Sequence, residues 1–206
     1  DYSYIPEKGL EVLIGIARFW QQRATFSTDR NQYVIIGVTG PNEYENNVNN
    51  NWYTNYLAKW CIDYTLEQIE KIEIEYASDF SRIAKKVKLS KKELGIWKAV
   101  ADNMYLPYSE KHQVYLQQDG FLDKELISVE DLPKTQRPIN QKWSWDRILR
   151  SPYIKQADVL QGFYFFEDQF SDEALERHFD FYEPFTVHES SLSPCVHSIQ
   201  ATKLDR

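Results

Sequence analysis

Glycine, cysteine and basic charge are all scarce in this chain. Seven glycines in 206 residues leave little material for a glycine-rich phosphate loop, and no nucleotide-binding motif appears. The two cysteines, Cys61 and Cys195, make no disulfide framework, and without a CxxC pair they give no zinc site. Cys61 falls on an apolar helix face and reads as core. No metal and no organic cofactor is expected. Lysine and arginine number 24 against 31 aspartates and glutamates, and the net charge of −7 argues against nucleic acid, whose phosphates demand a basic surface. Lys85, Lys86, Lys88, Lys91 and Lys92 do cluster beside a helix start at Ser90, which Glu93 completes as a capping box; they read as a solvated helix end. No apolar run is long enough to cross a bilayer and no leader opens the chain, so the expected location is the cytoplasm, with no membrane partner. Nothing repeats at a fixed period, and no stretch looks like a low-complexity linker.

Aromatics, by contrast, make up 15% of the chain, with 6 Trp and 14 Tyr. Such rings stack on sugar faces, or they simply fill a wide helical core; composition leaves both open. An apolar fraction of 42% and a charged fraction of 27% suit a globular protein, either one substantial core or part of a larger domain. Periodicity predicts a helix over 7–24, a short β-prone stretch over 33–38 and a long helix over about 50–76. In that helix Trp52, Tyr56, Trp60 and Tyr64 recur every fourth residue and Ile69 and Ile72 carry the stripe onward, so this face is expected in the core. A further helix is expected over 90–104, with Leu94, Trp97, Val100 and Ala101 on one face. Residues 105–150 lose periodicity and gather Pro107, Gly120, Pro133 and Pro138, as a stretch lining a site does. Helices are expected again over 153–166, 171–182 and 192–204. With almost no alternating strands the class is all-α, packed as antiparallel pairs.

The densest polar constellation is Gly40-Pro41-Asn42-Glu43-Tyr44-Glu45, followed by five asparagines between 46 and 51. The Gly-Pro turn places these residues on a loop just before the Trp52 helix. Asparagine amides donate and accept without charge, which suits hydroxyl recognition and the holding of a carboxyl. Glu43 is the candidate general acid, with neighbouring carboxylates or an apolar wall to keep it protonated. The plain alternative is an Asn-rich loop that caps the helix through Asn49 or Asn50. Spacing alone does not separate the two. His178 and His197 fall in helical patterns and read as structural, while His112 lies in the irregular stretch.

The wider segment 37–55 resembles the signature of glycoside hydrolase family 65, and within it the maltose phosphorylases. Lys142-Trp143-Ser144-Trp145-Asp146-Arg147, Lys155-Gln156-Ala157-Asp158-Val159-Leu160 and His188-Glu189-Ser190-Ser191-Leu192-Ser193-Pro194 agree with it, so the resemblance spans essentially the whole chain. It implies that residues 1–206 are one segment of an (α/α)6 barrel catalytic domain, with an amino-terminal β-sandwich domain and a carboxy-terminal part lying outside. It also implies an enzyme that splits maltose by inverting phosphorolysis into β-D-glucose 1-phosphate and glucose. Glu43 would then be the general acid, Lys155 and Gln156 would bind the hydroxyls of the transferred glucose, and inorganic phosphate would be the nucleophile and the one co-substrate. Because phosphate is already an anion, no second carboxylate is needed as base. His188, Ser190 and Ser191 are candidates to bind it, although Ser190 or Ser191 equally suits a helix cap. Glu189 lies where a hydrolase of the family could keep its base. Phosphorylases for kojibiose, nigerose or trehalose and a family hydrolase are the alternatives, and an inactive carbohydrate-binding segment is a different class. The implied partners are the disaccharide, phosphate and a second subunit in a homodimer.

Overall fold

A π-helical turn, Ile5–Gly9, runs directly into α1, Leu10–Arg23, in the computed structural model, which describes residues 4–206. Leu10, Ile14 and Ala17 are buried at intervals of four and three, the stripe of a helix with one core face. The chain divides into two compact units, one containing the residues up to Ile35 together with Asn55–Tyr105, the other Ile36–Thr54 with Leu106–Arg206.

In the first unit, β1 (Thr25–Ser27) and β2 (Gln32–Val34) form an antiparallel hairpin in which Phe26 faces Tyr33. The expected strand over 33–38 is therefore shorter and begins one residue earlier, and its partner carries no alternation to announce it. The long helix appears as α2, Trp52–Glu75. Its buried stripe beyond the first turn is Ala58, Ile62, Thr65, Ile69 and Ile72, whereas Tyr56, Trp60 and Tyr64 are half-buried. The reason is geometric: a strict four-residue repeat advances about 40° per step round the helix, while alternating threes and fours stay on one face. Trp60 and Tyr64 stack on each other along the flank, with ring planes 7° apart. A helix absent from the sequence reading follows: α3, Ala77–Val87, which ends at Lys88 in the left-handed region (φ 54°). Lys85 and Lys86 close its last turn, so the lysine cluster spans two helices. Ser90 then caps α4, Lys91–Asp102, by accepting from the Glu93 N–H. The capping box is only half made, because the Glu93 carboxylate bonds Arg18 of α1 at 2.6 and 3.0 Å.

The second unit holds the loop 36–51, the first turn of α2 and a series of short elements. These are β3 (Tyr108–Ser109) paired with β4 (Val114–Tyr115), α5 (Ile139–Lys142), α6 (Trp145–Leu149), α7 (Val159–Phe165), α8 (Asp172–Tyr182) and α9 (Ser193–Lys203). The helix expected over 153–166 starts only at Val159. Ahead of it Ile154 forms an isolated β-bridge, exchanging backbone hydrogen bonds with Phe185 and Val187, each at 2.9 Å. Trp52 is the aromatic hub of this unit, stacked on Tyr115 and tilted against Phe163 and Phe170. Gly162 on α7 makes that packing possible: a Cβ there would lie 3.0 Å from Trp52 Cη2, with another ring atom closer still. Among the described residues no helix is long and apolar enough to cross a membrane.

Candidate active site

The loop that carries Glu43 is held shut by mutual backbone bonds between Val38 and Val48, both 2.9 Å. Its asparagines are largely structural. Asn47 and Asn50 take left-handed backbone conformations (φ 52° and 53°), which asparagine tolerates better than most residues. Asn49 Oδ1 accepts from the Gly37 N–H, and Asn50 Nδ2 donates to Asp119. The helix cap is Asn51 rather than Asn49 or Asn50: its Oδ1 accepts from the Thr54 N–H at 2.9 Å and from the Thr54 hydroxyl at 2.8 Å.

Beneath the loop lies a buried carboxyl, Asp158. It accepts from the Asn42 N–H at 3.1 Å and from Asn51 Nδ2 at 2.9 and 3.2 Å. Burial pushes Asp158 up to about 7, against the pull of those two donors. Gly40 is needed for this approach, since a Cβ there would overlap both Asn51 and Asp158. Asn42 is buried as well, and its Oδ1 accepts from the Tyr44 N–H (3.1 Å) and the Lys155 N–H (3.0 Å).

The neighbours of Glu43 are all turned inward. Tyr44 donates its hydroxyl to Glu189, whose other oxygen accepts from the Ile139 N–H at the start of α5 (2.7 Å). Burial, then the bond to Glu189, raises the Tyr44 phenol. Glu45 pairs with Lys124 out of solvent, and Lys124 also donates to the Ser151 carbonyl at 3.0 Å. Burial draws Lys124 down to about 8. Glu43 alone points outward, its side chain 59% exposed, and meets Lys155 Nζ at 2.5 Å.

That pair departs from the sequence expectation. Neither an apolar wall nor another carboxylate sets the state of Glu43. The bond from Lys155, then that from Gln156, holds its carboxyl below the usual range. Glu43, Lys155 and Gln156 are thus brought together although over 110 residues separate them in sequence.

The remaining candidates lie around the start of α9. His188, at φ 54°, has both ring nitrogens engaged, by Ser193 Oγ at 2.8 Å and Glu183 at 3.2 Å. Ser190 Oγ accepts from the Leu192 N–H, while Ser191 is exposed. Glu183 also accepts from His197; burial pushes its carboxyl up, but the two histidine bonds outweigh this and leave it at about 2. Glu183, His188 and His197 bring ligand atoms within 4.8 Å of one another and could in principle hold a metal ion, which no sequence spacing signals. Those atoms are already bonded to each other. His178 is buried, accepts from the Tyr115 N–H and is pulled down to about 4 by burial. His112 packs its ring on Phe181. The sequence reading credited the asparagines of 46–51 with holding a carboxyl, as Asn51 does, but singled out neither Asn42 nor Asp158, whose role rests on contacts between distant segments.

Comparison with known proteins adds identity to this geometry. The model of the glycosyl hydrolase family 65 central catalytic domain matches residues 1–206. Maltose phosphorylase of Bacillus subtilis is 52% identical over 99% of this chain and 26% of its own length. Alpha,alpha-trehalose phosphorylase of Thermoanaerobacter brockii is 38% identical, and kojibiose phosphorylase of Halothermothrix orenii 36%, each over 99% of this chain and 26% of theirs. A solved chain described as a kojibiose phosphorylase from human microbiome superposes with a TM-score of 0.88 at 35% identity, covering 99% of this chain and 28% of its own. The expected class, all-α as part of an (α/α)6 barrel, is borne out. The chain spans about a quarter of the length of these relatives.

Proposed function

The chain belongs to glycosyl hydrolase family 65, as part of its central catalytic domain, and we propose that the full-length protein is a maltose phosphorylase in which Glu43 is the general acid. The observation that carries this reading is the outward carboxyl of Glu43, paired with Lys155 while the side chains of its neighbours Asn42, Tyr44 and Glu45 are engaged inside. Inorganic phosphate attacks the anomeric carbon of the α-linked glucosyl unit from the face opposite the glycosidic oxygen. The carbon–oxygen bond breaks, Glu43 gives its proton to the departing oxygen, and β-D-glucose 1-phosphate and glucose result. Lys155 and Gln156 bind hydroxyls of the transferred glucose. As the sugar draws Lys155 away, Glu43 recovers the proton it must deliver.

A one-carboxyl mechanism is supported by what the nearby acids do. Glu45 is engaged by Lys124, and Glu189 by Tyr44 and Ile139, so neither is poised as the base a hydrolase needs. His188, Ser190 and Ser191 remain the proposed phosphate contacts, Ser191 being the most exposed. Maltose is favoured over other disaccharides by the 52% identity to a maltose phosphorylase, against 38% and 36% to trehalose and kojibiose enzymes. A homodimer, a cytoplasmic location and the need for no cofactor beyond phosphate belong to the same proposal.

The test is to incubate the full-length protein with maltose, kojibiose, nigerose and trehalose, with and without phosphate, and to identify the sugar phosphate and its anomer. Phosphate-dependent release of the β-anomer from maltose is expected, and Glu43→Gln should lower kcat by about 10²- to 10⁴-fold. Cleavage without phosphate would make it a hydrolase, and the α-anomer would overturn inversion.

A further inference from the structure

Glu43 has no fixed environment of its own. Its side chain is 59% exposed, so its placement must come from the backbone on either side and from the partner it faces. A general acid has to lie within about 2.6–3.2 Å of the oxygen it protonates. Both constraints converge on one buried atom, Asn42 Oδ1. It accepts from the N–H of Tyr44, the residue after the acid, and from the N–H of Lys155, the residue paired with the acid.

Two backbone donors demand an oxygen there, which fixes the orientation of the buried Asn42 amide. Its nitrogen side faces Gln117 Oε1 at 3.4 Å, and its backbone N–H is held by Asp158. Asp158 also meets Asn51 Nδ2 from the other side, and Asn51 Oδ1 is committed to Thr54. An anchored amide thus ties two segments 113 residues apart in sequence to a single point.

We propose that Asn42 is a positioning residue for the acid, its side-chain oxygen setting Glu43 and Lys155 in register for proton delivery. The proposal rests on the reading of Glu43 as general acid. Loss of the oxygen lets the loop and the Lys155 segment drift, and a misplacement of about 1 Å costs about a hundredfold in rate.

The experiment uses the full-length enzyme with phosphate and two glucosyl donors: the α-glucobiose it cleaves and α-D-glucosyl fluoride. Fluoride departs as an anion and needs far less protonation than a sugar alkoxide, so its loss reports nucleophile and sugar binding without the acid. Asn42→Ala should lower kcat on the disaccharide by about a hundredfold, while kcat on the fluoride falls far less; any rise in KM should be shared by the two donors, because Lys155 faces the glucose common to both. Asn42→Asp, which keeps an accepting oxygen, should restore most of the lost disaccharide rate. Should Asn42→Ala fail to fold, Asn42→Ser reads the same ratio, its side chain being too short to reach both N–H groups. Equal losses on the two donors, or an undiminished disaccharide rate, would overturn the proposal. Glu43→Gln separates the two levels: activity of that variant on the disaccharide ends the acid assignment, whereas its silence beside a fully active Asn42→Ala ends only the positioning role.

Discussion

With its ammonium 2.5 Å from Glu43, Lys155 holds below the usual range a carboxyl that the proposed mechanism needs as an acid. A folded-state value held low by a cation rises once the cation is removed. Lys155→Met should therefore move the high-pH limb of kcat/KM to higher pH, because Glu43 keeps its proton further up the scale. The absolute value should fall at the same time, as a sugar contact is lost. A pH–rate profile of the full-length variant checks both. A limb that stays in place would show that Lys155 does not govern the acid. Motif likeness singled out Glu43, Lys155 and Gln156, which the fold brings together, but it did not give the charge state of Glu43. That state depends on which side chain lies within hydrogen-bond reach, and Lys155 and Glu43 are 112 positions apart.

Among the elements, α2 and α7 bear most directly on the site, because the first turn of α2 follows the Glu43 loop and α7 follows Lys155 and Gln156. They meet where Gly162 lies against Trp52, and a methyl group at 162 has no room beside the indole. Gly162→Ala should destabilise the protein by about 1–3 kcal/mol through overpacking. It should also change the near-UV circular dichroism of Trp52, and thermal melting with that spectrum tests the claim. An unchanged Tm would mean the indole shifts freely. One-sided periodicity made α1, α4 and α8 legible to within a few residues. Two features were not legible for a physical reason. Residues 153–158 read as helical, but Ile154 spends its backbone bonds on Phe185 and Val187 and the Lys155 N–H goes to Asn42, partners that local spacing cannot reveal. For α3 the apolar stripe is thin, with Ile83 as its one fully buried side chain, so lysines dominated the reading of that stretch.

At the scale of the molecule, stability against pH brings together buried groups from separate elements, and two of them oppose each other. Burial raises Asp158 from 3.8 to about 7, so between those values the folded state holds a proton the unfolded chain has lost. Its contribution is complete below pH 3.8 and is lost as pH rises through 7. Burial lowers His178 from 6.5 to about 4, so there the unfolded chain holds the extra proton. Its contribution is complete above pH 6.5 and is lost as pH falls through 4. Each slope is about 1.4 kcal/mol per pH unit, opposite in sign, and they cancel between about pH 4 and 6.5. Glu183, held at about 2, adds stability that is lost only as pH falls below 4.5 towards 2. Removing either member of the opposed pair should expose the other. Relative to wild type, Asp158→Asn should gain unfolding free energy with rising pH across this window, and His178→Gln should lose it. Urea denaturation of the full-length protein at several pH values supplies the differences. Curves that run parallel to wild type for both variants would show that neither proton is held as burial dictates.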